Sequence, residues 1–480
     1  MSKGAAPRVI PIQQAQDGAD GLFSAYEKQV RIYPRAVHGW FANWRWIMVA
    51  LTQAVFYGLP WLQWNGRQAV LFDLSERRFF VFGLVLHPQD FIYLAALLVI
   101  SALALFFFTA VAGRLWCGYA CPQTVYTEIF LWIERRIEGD RSARMRLDAA
   151  PWGMEKLLRK GGKQFAWLSV GLFTGFSFVG YFTPIQTLAV QAASLSFSPW
   201  EWFWVLFYGL ATYGNAGYLR EQVCKYMCPY ARFQSALIDM DSLVIAYDTQ
   251  RGESRGSRPR KADPRSMGLG DCIDCTLCVQ VCPTGIDIRN GLQNECIACA
   301  ACIDVCDDVM GKMGYAPGLI RYSSGNAIAQ SWSPRQMLAR VWRPRVLIYG
   351  SLLLAASLAF VISLSMRSGF GVDIIRDRGA LARETGKGRI ENVYRLQIRN
   401  STEQAQRFSV QVSGLPGLQL ATPAQLEVPA IGIASMPVRL TLAQEQAEAL
   451  RGHANPIRFM ITRDGDLRSS SEPSTFFVPR

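Results

Sequence analysis

CIDCTLCVQVCP (272–283) and CIACAACIDVC (296–306) decide how the middle of this chain must fold. Each run spaces its cysteines C-x2-C-x2-C-x3-C, the bacterial ferredoxin arrangement for two 4Fe–4S clusters. Three thiolates of one short loop wrap one face of a cubane, and the fourth, further along, reaches across to the other cluster. The spacing therefore assigns Cys272, Cys275, Cys278 and Cys306 to one cluster, and Cys296, Cys299, Cys302 and Cys282 to the other. Structural zinc is the competing use of these thiols, but zinc sites separate two C-x2-C pairs by a longer stretch. The predicted chemistry is single-electron transfer.

Working outward, the remaining cysteines are as telling. The chain has 480 residues and 12 Cys, all between 117 and 306. Eight form the two runs, and the other four make two C-x3-C-P pairs, Cys117/Cys121 and Cys224/Cys228. None is left for a disulfide framework, so the cysteine-bearing segments are expected in the reducing cytosol. Only three histidines occur, His38, His87 and His453, which argues against paired-histidine haem ligation; each is read as a surface or packing residue.

Half of the residues are hydrophobic, with 14 Trp and 27 Phe, and only 18% are charged. That balance predicts a membrane protein with soluble appendages. Five stretches approach the length that crosses a ~30 Å hydrocarbon core: roughly 45–64, 91–113, 165–184, 201–219 and 345–366. The fourth is the weakest, with Glu201 at its edge and Asn215 inside. The first 40 residues are polar and do not read as a cleavable signal peptide.

Orientation follows from the Lys/Arg bias of the connecting segments. Segments 1–43, 114–163 and 220–345 carry 5, 10 and 16 basic residues, whereas 65–90 and 185–200 carry 3 and none. Five spans with the N-terminus inside put the rich segments, and with them every cysteine, in the cytosol. The net charge of +13 is then mostly a topology signal directed at anionic membrane lipid. With no basic recognition helix or stacking motif, nucleic acid is not an expected partner.

The expected organisation is a cytosolic segment 1–44, a four-span membrane domain 45–247, a basic linker 248–269, a two-cluster ferredoxin domain 270–312, a connector 313–344, a fifth span 345–366 and an external domain 367–480. In the last, 393–400, 406–413, 425–429, 435–442 and 456–463 alternate or run apolar between turn residues, which predicts a small β-sandwich. GALARETGKG (379–388) is not read as a phosphate loop: six residues separate its outer glycine from the Gly-Lys step where four are required, and Gly388 stands where Ser or Thr should hold Mg²⁺.

RLWCGYACPQT (114–124) and REQVCKYMCPYARFQ (220–234) are two copies of one device, each directly after an apolar stretch. Pro122 and Pro229 suit the first position of a helix, which places Cys121 and Cys228 at helix N-termini, where the dipole is expected to lower a thiol pKa. Three uses compete: one shared metal ion, preferably copper; a further iron–sulfur cluster; or small buried residues at tight helix junctions. Thiolates are soft donors that prefer Cu(I), and each tenfold preference raises the copper potential by about 59 mV.

Together with PWLQWNGRQAVLFDLSERRFFVFGLVLHPQDF (60–91), CGYACPQTVYTEIFLWIERRIEGDR (117–141) and GRIENVYRLQIRN (388–400), this arrangement resembles the CcoG (FixG/RdxA) family from about Ile32 to the C-terminus. The resemblance implies a bacterial inner-membrane protein with a periplasmic immunoglobulin-like domain. It implies a Cu(II) oxidoreductase that supplies Cu(I) for assembly of the cbb-type cytochrome oxidase, with assembly and copper-handling proteins as partners and a cytosolic electron donor of unknown identity. Cys117, Cys121, Cys224 and Cys228 would then be the catalytic thiols, with copper as substrate and two 4Fe–4S clusters as cofactors. A quinol-linked electron conduit, as in a neighbouring family with related C-x3-C-P motifs, and a non-catalytic redox-sensing scaffold are the alternatives.

Overall fold

The computed structural model describes residues 31–260, 262–377, 382–385, 388–465 and 469–479. Most of the predicted N-terminal segment, and residues 379–381 and 386–387 of the glycine-bounded stretch, lie outside them.

Each of the five predicted apolar stretches overlaps a helix: Trp40–Gly58, Phe91–Ala112, Met154–Val179, Pro199–Gly214 and Pro344–Met366. Two segments, Pro88–Ala112 and Pro344–Met366, are long and apolar enough to cross a membrane, with mean hydropathies of 2.7 and 2.2. They run antiparallel: the Tyr93 and Phe360 rings meet at 6.0 Å near one end, and Phe107 lies against Gly350 towards the other. The remaining three depart from the simple span. Trp40–Gly58 stops six residues short of the predicted end, and a 3-10 turn at Leu59–Trp61 and a strand at Gln63–Trp64 follow it. Met154–Val179 starts eleven residues before the predicted stretch, in the basic turns MEKLLRKGGK. The Pro199–Gly214 helix gives way to a π-helical turn at Asn215–Leu219, where the predicted span should have continued. These two helices cross at glycine: a Cβ on Gly175 would lie 2.2 Å from the Val205 carbonyl oxygen, the small-residue contact that lets helix backbones touch.

The bundle has two distinct ends. At one, an unforeseen three-stranded antiparallel sheet (Val70–Asp73, Arg78–Val81, Leu84–Leu86) packs on the Gly180–Ile185 turn. Gln68 ties them, donating to the Gly180 carbonyl at 2.7 Å and accepting from the Ile185 amide at 2.9 Å. The C-terminal domain sits at this end, held by Arg367–Asp90 at 2.6 Å and Arg67–Glu403 at 3.1 Å. The other end gathers 31–39, both C-x3-C-P motifs and the ferredoxin lobe.

The C-terminal domain is a sandwich of two antiparallel sheets. One orders Gln419–Leu420, Ile433–Ala443, Arg389–Asn400 and Phe370–Arg376, with Arg383–Thr385 also on Arg389–Asn400; the other orders Gln425–Val428, Gln406–Ser413, Ala454–Arg463 and Ser469–Phe477. Along Arg389–Asn400 every second residue is buried, the period of two that turns one strand face to the core. Leu396, Phe408, Phe459 and Phe476 meet there with no exposed surface.

The ferredoxin lobe is larger than 270–312. Strands Val244–Tyr247 and Ile320–Ser323 pair antiparallel on either side of the cysteine runs, and Ile245, Tyr247, Leu319 and Ile320 share a core with Met310 and Ile303. Residues 248–260 and 262–269, read as a basic linker, fold back on the lobe. Gly256 donates to the Cys272 carbonyl at 3.3 Å, Asp271 to Arg251 at 2.9 Å and Gly270 to Ser254 at 2.9 Å. The segment lacks apolar periodicity because backbone hydrogen bonds and arginine donors hold it, not a buried stripe.

Candidate electron-transfer site

Tight loops bring the ferredoxin cysteines inward. Asp274, Thr276, Ala298 and Ala300 all take positive φ, from 53° to 60°, a left-handed backbone uncommon for residues with a Cβ. A loop of that shape turns three thiols toward one centre. Cys272, Cys275, Cys278 and Cys306 line one small cavity, and Cys278, Cys282, Cys296, Cys299 and Cys302 line a neighbouring one. Burial comes first in pushing these thiols up, Cys278 to about 11 and Cys296 and Cys306 to about 12. Two tetrads of soft donors beside Leu277, Ile288 and Ile297 fit 4Fe–4S cubanes.

The two tetrads face differently. Cys275 is exposed, giving the first a margin open to solvent. The second turns toward the helix bundle: Ile297, Cys299 and Ala301 share an apolar cluster with Val281, against which Cys117 and Cys224 pack. Gly118, inside CGYAC, makes this possible, since a Cβ there would lie 2.7 Å from the Ala298 oxygen and 2.8 Å from that of Ile297. Arg114 staples the junction. Its guanidinium donates to the carbonyls of Asn294 and Ala231, the latter at 2.5 Å, and to the Ser235 hydroxyl at 3.1 Å.

The two C-x3-C-P motifs place their second cysteine alike, although Cys117 sits in the α-helical turn Leu115–Tyr119 and Cys224 in the π-helical turn Val223–Met227. Cys121 caps the Pro122–Glu138 helix and Cys228 the Pro229–Leu237 helix, each with proline at the first helical position. All four thiols lie close enough to feel one another electrostatically. At Cys121 the expected thiol acidification is overturned. Burial pushes Cys117 up to about 12 and Cys224 to about 11, and raises Cys121 although the Gln123 and Thr124 amides pull it down. Desolvation of a thiolate outweighs one helix terminus. Among the described residues, no three His, Cys, Asp or Glu side chains converge tightly enough to hold a single metal ion. His38 and His453 are exposed; His87 is buried near Ser401, 3.5 Å from its hydroxyl.

Sequence reasoning missed Arg114 and Gly118, although the Arg and Gly flanking Cys117 were visible. It also missed a buried ion network beside Cys224. Glu134, 1% exposed, pairs with Arg144 and Arg220, each at 3.0 Å, while Lys163 reaches Glu138 at 2.9 Å. Arg220 also donates to the Gly217 carbonyl at 2.9 Å, pinning the π-helical turn that leads to Cys224.

Cysteine-lined cavities joined to a bundle with two membrane-length helices define the class: a membrane iron–sulfur electron-transfer protein. The chain belongs to the FixG/RdxA family. It is 39% identical to Protein RdxB of Cereibacter sphaeroides over 88% of this chain and 89% of that one. It is equally similar to Protein RdxA of that organism, over 88% and 91%, and 37% identical to the nitrogen fixation protein FixG of Rhizobium meliloti, over 83% and 82%. Family models match in three places: a 4Fe-4S dicluster domain at 219–325, a 4Fe-4S binding domain at 94–139 and the IG-like fold at the C-terminus of FixG at 360–479.

Proposed function

We propose that the chain is a cupric reductase that carries electrons from a cytosolic donor to the C-x3-C-P thiols and delivers Cu(I) for assembly of a cbb-type cytochrome oxidase. One observation carries this reading: the second cysteine tetrad is packed directly against Cys117 and Cys224. Iron–sulfur clusters supply single-electron transfer when bound, matching the one electron that takes Cu(II) to Cu(I). The protein's own residues do the positioning. Exposed Cys275 leaves the first tetrad accessible to a donor, while Gly118 and Arg114 hold the second against the thiols. Soft sulfur donors at the bundle end favour the Cu(I) product over Cu(II).

In this reading all five helices cross the inner membrane, with the cysteine end cytosolic and the sandwich periplasmic. Segregation of basic, cysteine-bearing segments to one end of the bundle supports that orientation. Copper-handling and oxidase-assembly proteins are the proposed partners, and anionic lipid meets the basic end.

The quinol-conduit reading is favoured by one feature, a cleft of about 690 Å3 lined by Trp152, Trp167, Tyr218, Lys163 and Arg220, whose Arg220–Glu221 wall also borders the cavity at Cys224. Multiple-turnover Cu(I) production under continuous reductant decides between them. Loss in both Cys117→Ser/Cys121→Ser and Cys224→Ser/Cys228→Ser, with ferredoxin spectra intact, supports cupric reduction. Unchanged turnover in both, with cluster reduction by quinol, replaces it with the conduit.

A further inference from the structure

We propose that the cleft of about 690 Å3 beside Trp152 and Trp167 binds one anionic phospholipid, its phosphate held at Lys156 and Lys160. The inference rests on the Met154–Val179 helix entering the membrane, as in the reading above, and is independent of copper.

The charge around this cleft is unbalanced. One carboxylate, that of Glu134, answers four cations: Arg144 and Arg220 at 3.0 Å, Arg31 at 3.6 Å and Lys163 at 3.8 Å. Glu138 takes Lys160 and Lys163 at 2.9 Å each, and Asp148 takes Arg31 at 2.9 Å and Lys160 as well. Lys156 rests on neutral groups instead, donating to the carbonyls of Asp148 at 2.9 Å and Ala150 at 2.6 Å. Even with Glu221 on the wall, these six cations share four carboxylates. Asp140 and Arg141, the next residues along, add one charge of each sign and leave the excess as it is. The side chains of Lys163 and Arg144 are only 3% and 1% exposed. Buried charge lacking a counter-charge is costly, and an anion in the cleft removes that cost.

The helix that carries the lysines is set for lipid. Lys156, Lys160 and Lys163 recur at steps of four and three, on one helix face, and line the cleft. On the opposite face Met154, Leu158 and Phe165 are exposed. A helix with charge turned inward and apolar side chains outward inverts the order of a water-facing surface helix, as lipid on the outside demands. Along the helix the lining passes from Lys160 to Trp167, about 10 Å further in at 1.5 Å per residue. Charged groups thus come first on the cytosolic side and an indole lies deeper. Trp152 and Tyr218 stand exposed at the rim, and such side chains favour the headgroup layer. That order fits a phosphate at the lysines and the glycerol esters against Trp167. An uncharged quinol would leave the excess charge unmatched.

Native mass spectrometry of the delipidated full-length protein in detergent counts the lipids returned to it. With dioleoyl phosphatidylglycerol one lipid per chain should survive activation that strips the others, and dioleoyl phosphatidylcholine should not replace it. Lys156→Gln should weaken that binding about tenfold, the loss of one charged contact, and Lys156→Arg should keep most of it. Arg335→Gln/Arg340→Gln, which removes two exposed charges just ahead of the Pro344–Met366 helix, should leave it unchanged. Cluster absorbance checks that each variant is folded, and the parent's preference between the two lipids decides on its own if Lys156→Gln folds poorly. Equal retention of the two lipids would overturn the proposal, as would displacement of phosphatidylglycerol by inorganic phosphate or by a short-chain quinol at equal concentration. Equal weakening in Lys156→Gln and Arg335→Gln/Arg340→Gln would replace the site with diffuse attraction to the basic end and refute it. The count is made in detergent, so neither orientation in the membrane nor copper turnover affects it, and the readings fail separately.

Discussion

The Asp304 carboxylate, between Cys302 and Cys306, accepts the backbone amide of Ala42 at 2.7 Å, and its other oxygen takes that of Phe41 at 3.1 Å. A residue of the Ala301–Met313 helix, which also carries Cys302 and Cys306, thereby caps the Trp40–Gly58 helix, whose own N-cap, Gly39, offers no side chain. The contact bolts the ferredoxin lobe to the bundle and places a negative group at the positive end of a helix. Asp304→Ala should cost about 1–2 kcal/mol, and Asp304→Asn should cost less because it keeps an acceptor. Thermal unfolding followed by cluster absorbance checks the order parent, Asn, Ala; equal midpoints for all three would remove the cap from the account.

Gly118→Ala should disturb the docking of the second tetrad without emptying it. The added methyl would meet backbone at 2.7 Å, and backbone gives way only by a shift costing about 1–3 kcal/mol. Iron content should stay at the parent value while transfer from reduced clusters to acceptor slows. Rapid-mixing reoxidation under anaerobic conditions measures it, and an unchanged rate would show that this approach does not set the electron path.

How much of this was legible depends on whether an interaction is local. The cysteine runs were readable because ligand spacing is a property of one short loop. The five apolar stretches were readable because burial or lipid contact imposes composition over a whole helix. Five sandwich strands announced themselves by alternation, but Phe370–Arg376 and Ser469–Phe477 did not. Both lie at sheet edges, where one side is open and even Pro473 is tolerated. The Asp304 cap, the Arg114 staple and the folding back of 248–269 join residues distant in sequence, and no periodicity encodes such contacts. The pKa expectation at Cys121 failed for a related reason: the helix terminus is local and visible, whereas the burial that outweighs it is tertiary.

Topology is tested with reporter fusions after residue 150, after residue 250 and at residue 480. The first two should report the cytosol and the third the periplasm. Pro199–Gly214 is the vulnerable span, because it is short and ends in a π-helical turn. A periplasmic report at 250 would put the ferredoxin lobe and Cys117 on opposite sides of the membrane, which the Arg114 and Gly118 contacts forbid.

The central claim is that electrons held on the ferredoxin tetrads reduce Cu(II). Anaerobic protein, reduced and freed of excess reductant, is mixed rapidly with Cu(II) and a Cu(I)-specific chelator, and cluster absorbance and Cu(I) are followed in one trace. The account predicts that clusters reoxidise as Cu(I) forms, at equal rates and with one Cu(I) per electron lost. Cu(I) appearing while the clusters stay reduced would contradict it, because the thiols alone would then be the reductant.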